Sequence, residues 1–288
     1  VHEFGETQRV GLRYFQPARE LRDLVSSYYL FHALMPRVQD STRADFAQIR
    51  FMLAGRGDYT FADGEASRTA TVSLVGPTMA PVRFAVDGPL IVFGISLMPA
   101  GWAALVRDDA SRYADSAEDA TAVFGSLLEE ALDAMRCAHS AGRMVAIANA
   151  LMRTLAGRAR ETPLWFTRLT DSWLMGASSP RVDELVAASS MSARQIERLA
   201  GRIYGAPPKL LARKYRALRS ASLLGSGMVS WQEAAGDAYY DQSHFIREIK
   251  QFTGLTPSRL IQNASPVTRL TLRRRELLGK MSPLALIS

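Results

Sequence analysis

The side chains best placed to do chemistry in this sequence are two short sets of hydrogen-bonding groups near its C-terminal end. Ala193, Arg194, Gln195, Arg198 and Arg202 form the first, and Gln242, Ser243, His244, Arg247 and Lys250 the second. Positions four and eight apart return to one face of a helix, so each set can be presented together. An arginine fork can bridge guanine O6 and N7, and a glutamine amide can bridge adenine N6 and N7. The chemistry on offer is recognition of base edges. Bond-making chemistry is poorly supplied. Of the four histidines, His2, His32, His139 and His244, only His32 lies in or beside a strand-like zone. A catalytic metal in a β-domain needs several such ligands together. Cys137 is the only cysteine, so no intrachain disulfide can form. It falls on an expected helix without a convincing histidine partner, where burial as a small apolar side chain is its default role. No catalytic residue, metal or cofactor is expected, and the chain reads as a non-enzyme.

The elements that must hold these groups are repeated. Shifted by 49 residues, Glu184 falls on Glu233, Arg198 on Arg247, Gly205 on Gly254, Pro208 on Pro257 and Leu211 on Leu260. Two copies are too few for a solenoid, but two small helical units can present two recognition helices to one duplex. In the first unit Val182, Leu185 and Val186 line a short helix opened by Ser179–Pro180, and Ser189–Met191 form a turn. Ser192 and Gln195 then make a capping box, and Met191 and Ile196 a hydrophobic staple. Ile196, Leu199 and Ile203 face inward, and Gly205 stops the helix. In the second unit Asp241 is the N-cap, Tyr240 and Phe245 the staple, and Phe245, Ile249 and Phe252 the inner face, closed by Gly254. Pro208–Leu224 between them is a helix ended by Gly225–Gly227. At 1.5 Å per residue it is about 24 Å long, a plausible strut for helices one turn of B-DNA apart, about 34 Å. Arg213, Lys214, Arg216 and Arg219 on it are candidates for phosphate contact, with a plain solvated face as the alternative.

Charge supports this division. Residues 1–180 hold 18 Arg and no Lys against 20 acids, net −2, whereas residues 181–288 hold 17 Lys+Arg against 8 acids, net +9. A basic third beside a near-neutral remainder fits a nucleic-acid reader joined to something else. The longest apolar run, Pro89–Pro99, is too short for a bilayer, and no secretory leader opens the sequence. A soluble, cytoplasmic protein is expected.

Four zones follow: 1–100, β-rich; 101–176, helical and a candidate dimerisation region; 177–262, the paired helical units; and 263–288, a basic tail. The fold class is multidomain α+β, with a small β-barrel, following helices and an all-α C-terminal domain. From Val10 to Met98 short apolar runs alternate with Gly, Pro and Asp, as in a barrel or sandwich. Pro17 opens a stretch where Leu21, Leu24, Val25 and Tyr28 form a helical stripe, passing into a strand at Tyr29–His32. Ser116 can cap a helix carrying Val123 to Met135; Met144 to Leu155 form a second helix, and Trp165, Phe166, Leu169 and Trp173 a third. Arg50, Arg83, Tyr59, Phe61, Phe84 and Trp102 are ligand candidates by residue type alone, with packing favoured for each. The tail, with Arg269, Arg273, Arg274, Arg275 and Lys280, reads as a loose helix or extension.

The run DQSHFIREIKQFTGLTP, preceded by GAPPKLLARKYRALRSA, resembles the DNA-binding domain of the AraC/XylS family of bacterial transcription regulators over residues 179–261. Tyr239, Asp241–Phe245, Lys250, Gly254, Thr256 and Pro257 match its second unit. The usual turn glycine is Ala238 in the second unit and Ser190 in the first, and Ala200 and Ile249 occupy aromatic core positions. The resemblance implies a sequence-specific regulator of the activator kind, reading a double-stranded operator through Ala193, Arg194, Gln195 and Arg198 and through Gln242, Ser243 and Arg247. It further implies contact with RNA polymerase, a homodimer, and a domain responding to a small-molecule effector. LRYFQPARELRDLVSSYYLF and LIVFGISLMPAGWAALV are, more weakly, similar to a cupin-like sensor domain. Two alternatives stand beside this: a constitutive regulator whose N-terminal domain only dimerises, and a cupin-type enzyme with an accessory DNA-binding domain.

Overall fold

The structure, a computed structural model, describes residues 9–159, 162–225, 227, 229–277, 279 and 281–288. His2, Ser226 and Lys280, and the side chain of Arg275, lie outside the described residues.

Turn-bounded apolar runs in the first hundred residues become strands of one antiparallel sheet. They are β1 (Val10–Phe15), β2 (Val25–Ala33), β3 (Arg37–Thr42), β4 (Gln48–Thr60), β5 (Ala66–Arg68), β6 (Val72–Val75) and β7 (Val82–Leu97), joined later by β8 (Ala117–Asp119). The order is β1-β2-β7-β4-β6-β8, with β3 also on β7 and β5 on β4. The expected barrel is therefore an open sheet. β8 is only three residues long, and a C-terminal helix, α12 (Pro266–Leu272), packs on edge strand β1 and on β3. Covering an edge with a helix removes the need to close it with a strand.

Alternation along the strands sorts side chains to two faces. Tyr28, Leu30, Ile49, Phe51, Phe93 and Ile95 form one core with Trp102 of α1 (Pro99–Leu105) and the inner sides of α3 (Leu127–Arg136) and α4 (Ala141–Gly157). Tyr29, Phe31, Met52, Tyr59, Phe84 and Val92 form a second cluster on the opposite face. Met52 and Tyr59 share that face despite their odd separation because β4 bulges between Met52 and Arg56, and an inserted residue flips the alternation.

Several local expectations change. The Pro17 stretch gives a single 3-10 turn, Arg19–Leu21, and β2 starts at Val25; its β-branched and aromatic residues favour a pleated strand. Ser116 lies in a turn, its hydroxyl donating to the Tyr113 carbonyl, and the cap is Asp119, opening α2 (Ala120–Phe124). Cys137 is exposed because α3 ends beside it. Trp165 is exposed, whereas Phe166 and Trp173 of α5 (Leu164–Gly176) are buried with Leu185, Ile196 and Ala200.

The remaining elements are α6 (Val182–Ser189), α7 (Ala193–Tyr204), α8 (Pro208–Gly225), α9 (Trp231–Ala235), α10 (Gln242–Thr253), α11 (Pro257–Gln262) and, after α12, α13 (Pro283–Ile287). The final segment is not loose. Ser265 and Ser282 cap α12 and α13, each followed by a proline in the first turn. Leu284 to Ser288 are buried. Arg274 is buried too, and its guanidinium meets the Asp45 carboxylate at 3.0 and 3.2 Å. The Asp45 carboxylate also accepts from Ser288 Oγ at 2.8 Å and Gln48 Nε2 at 3.0 Å. Burial alone would raise the Asp45 carboxyl, but the Arg274 charge and hydrogen bonds, with Arg43, hold it well below the usual carboxylate range.

Removing one partner of a buried pair strands the other, so Arg274→Ala should cost about 3–5 kcal/mol in urea unfolding. A depressed folded value means that the contribution of Asp45 is complete above its unfolded value of about 3.9 and is lost as pH falls below it. The stability gap between wild type and Asp45→Asn should therefore narrow below about pH 4. A gap constant from pH 7 to 3 would contradict this pairing.

Candidate nucleic-acid interface

The two helices carrying the base-reading sets are α7 and α10, twelve residues each and 49 apart. Their starts and stops are chemically fixed. In α7 the Ser192 hydroxyl accepts from Gln195 N at 3.4 Å, and Gln195 Oε1 accepts from Ser192 N at 2.9 Å. In α10 the Asp241 carboxylate accepts from His244 N at 2.7 Å. Gly205 and Gly254 end them with φ of 82° and 78°, a left-handed geometry that favours glycine. Their exits lean on the sheet domain: a Cβ on Gly205 would stand 2.5 Å from Pro77 Cγ, and one on Gly254 3.1 Å from Pro81 Cγ.

Ala193, Arg194, Gln195, Arg198 and Arg202 are exposed on α7, as are Gln242, Ser243, Arg247 and Lys250 on α10. Among the described residues the side chains of Arg194, Arg198, Arg247 and Lys250 show no hydrogen bond or ion pair. Arg202 stands 4.0 Å from Asp109, a pair exposed on both sides and weak for that reason. The Gln195 carbonyl is engaged by Ser192, so only its amide N–H groups are left to point outward. His244 is half-buried, packs edge-on against Tyr239 and places Nε2 3.4 Å from Glu248 Oε1, as expected of a structural side chain. The Tyr240 staple does not form. Tyr240 is 95% exposed, and Tyr239 packs on Phe245 instead, centroids 5.0 Å apart.

The candidate phosphate ligands on the strut are engaged within the protein, although the Arg213 side chain keeps 38% exposure. Glu248, 1% exposed, receives Arg213 Nε and Arg216 Nη2, each at 2.6 Å. Lys214 is buried and donates to the Asp45 carbonyl at 2.9 Å; burial pushes its ammonium down to about 8. Arg219 donates to the Leu174 carbonyl at 2.7 Å. These side chains tie α8 to α10, to the sheet domain and to α5, because α8 runs through the interior. Glu248 was invisible as a hub in the sequence; its one trace is its position four residues after His244, on the same helix face.

Of the ligand candidates, Arg50, Tyr59 and Phe84 line a cavity on the second face of the sheet, whereas Arg83, Phe61 and Trp102 do not. Among the described residues no group of three or more His, Cys, Asp or Glu could hold a metal.

A family model described as a helix-turn-helix domain matches residues 185–263, which contain both recognition helices. A search of curated proteins finds none that matches. Among solved structures the chain is similar to an apo variant of ToxT from Vibrio cholerae strain SCE256, at 10% identity over 90% of this chain and 99% of that one, TM-score 0.49. It is similar to unsaturated-fatty-acid-bound wild-type ToxT of that strain at 9% identity, covering 88% and 94%, TM-score 0.47. The AraC-like transcriptional activator CuxR is similar at 12% identity, covering 67% and 80%, TM-score 0.27. The paired units and the helix-turn-helix match define a DNA-binding transcription regulator. Its C-terminal reader is a helix-turn-helix domain of the AraC type.

Arg198→Ala should weaken operator binding by about 1–3 kcal/mol and relax preference at one base pair, measured by competition against single-base operator variants. Uniform loss on every sequence would place it on phosphate. Glu248→Gln should lower stability by roughly 2 kcal/mol, since it weakens charge-assisted hydrogen bonds to two arginines, and thermal melts would register no change if the hub were idle.

Proposed function

We propose that this protein reads two adjacent major-groove segments of an operator through α7 and α10, and that its sheet domain adjusts this reading in response to a small molecule. The observation that carries the proposal is the equivalence of Arg198 and Arg247, both exposed, at matching positions of helices that begin and end alike. Arg194, Gln242, Ser243 and Lys250 extend the two sets, Ala193 allows close approach, and Arg202 lies toward the backbone end. Gln195 and His244 serve mainly to hold their helix starts.

The sheet cavity supports effector binding, since it is concave and mostly apolar with a few polar groups. The reading includes a homodimer, a contact with RNA polymerase, a cytoplasmic location and no catalytic activity. Among the described residues no helix is long and apolar enough to cross a membrane.

Selection from a randomised duplex pool at fixed near-physiological salt tests the reader, because backbone binding alone is steeply salt-dependent. Two conserved half-motifs about one helical turn apart are expected, with Arg198→Ala and Arg247→Ala each blurring a different half. Enrichment without a motif would sink the bipartite reading.

A further inference from the structure

The two recognition helices match in position but not in the hydrogen-bonding groups that their caps leave free. At the third residue of each helix the side chain is used inward. Gln195 Oε1 accepts from Ser192 N at 2.9 Å and from Ser192 Oγ at 2.8 Å, which fills both lone pairs of an amide oxygen. His244, its counterpart in the repeat, packs edge-on against Tyr239 and turns Nε2 toward Glu248. At the first residue the units part. α7 opens with Ala193 and α10 with Gln242. Gln242 is exposed, and among the described residues its amide shows no hydrogen bond. The start of α10 draws on no glutamine, because the Asp241 carboxylate accepts from His244 N at 2.7 Å.

The second and sixth residues complete the outward face. They are Arg194 and Arg198 in α7, and Ser243 and Arg247 in α10, all exposed. Four residues along a helix advance about 6 Å, a little under two base-pair steps of about 3.4 Å. These two inventories do not read the same bases. A guanidinium fork takes guanine O6 and N7. A bidentate grip on adenine needs an acceptor for the N6 amino group and a donor for N7, which an amide with both ends free supplies. Gln195 has lost its acceptor and Ala193 has neither group. A serine hydroxyl serves either kind of edge and so chooses neither.

We infer that the operator is built from unlike halves. The half under α7 is read as guanine at two positions, through Arg194 and Arg198, with no adenine selected by contact. The half under α10 is read as one guanine, through Arg247, and one adenine, through Gln242. Turning Gln195 to adenine would leave the Ser192 N–H at the helix start without its acceptor, so in α7 the cap and the base compete for one oxygen. In α10 they do not, because cap and reader are different residues. This assignment rests on the bipartite reading and specifies the DNA that each helix takes.

The test repeats selection from the randomised duplex pool with the full chain and with Arg198→Ala, Gln242→Ala and Gln195→Ala, then measures affinity for the selected duplex. The half blurred by Arg198→Ala is the one under α7. Gln242→Ala should erase adenine from the other half alone and weaken binding about tenfold, the discrimination expected of one bidentate pair. Gln195→Ala should lower the melting temperature and leave the base preferences of both halves as they are. A second measurement serves if Gln242→Ala does not fold. Purine in place of the selected adenine removes the N6 amino group and should weaken wild-type binding about tenfold. An adenine in the α7 half that Gln195→Ala erases, or a selected adenine indifferent to Gln242→Ala and to purine, would overturn the inference. Two halves with the same bases would overturn it too, while the bipartite reading stood. Enrichment without any motif would overturn that reading and this one together.

Discussion

A buried carboxylate is costly unless every lone pair is answered, and Asp45 answers its own from parts of the chain far apart in sequence. Its oxygens take Arg274, Ser288 Oγ and Gln48, and its own carbonyl takes the ammonium of Lys214. Sheet, strut helix and C-terminal segment therefore meet at one residue. Such junctions specify geometry more than they add stability, since a hydrophobic isostere of an ion pair is often as stable. What the pairing contributes here is a defined seat for α8, and so for the recognition helix packed against it.

The same logic recurs at Glu248. A strut rich in arginine reads as a DNA-facing surface, yet Arg213 and Arg216 turn inward to this one acid. On the recognition helices, by contrast, Arg194, Arg198, Arg247 and Lys250 stay exposed. The DNA-binding domain thus divides its positive charges between two roles. Those on α8 fix the relative placement of helices, and those on α7 and α10 stay solvated until a partner arrives.

How much of this was legible in the sequence depends on the range of the signal. Local chemistry was readable: the Ser192–Gln195 capping box, the Asp241 cap and the Gly205 and Gly254 stops all stand where side-chain spacing placed them. The turn departures were readable as positions but not as outcomes. Ser190 adopts the left-handed φ of 56° itself, whereas in the second unit Gly236, two residues before Ala238, takes the positive φ. Contacts distant in sequence left no trace. Nothing near Arg274 announces Asp45, 229 residues away, and a Tyr–Tyr pair gives no sign of which ring packs on Phe245. Sheet closure failed as an expectation for the same reason, because the helix covering β1 comes from the far end of the chain. The two Ser-Pro dipeptides at Ser265 and Ser282 did signal ordered helices there, and the basic composition around them obscured it.

The glycines that end the two recognition helices both abut one short loop of the sheet domain, at Pro77 and Pro81. Each unit therefore carries its own caps and core but shares a common anvil. Neither can change its pitch without the loop yielding, and a displacement of that loop reaches both at once. The spacing of the two helix exits is, on this geometry, gauged by a segment of the other domain. Substitutions at Pro77 or Pro81 would bear on the spacing of the two helices while leaving the side chains each presents unaltered.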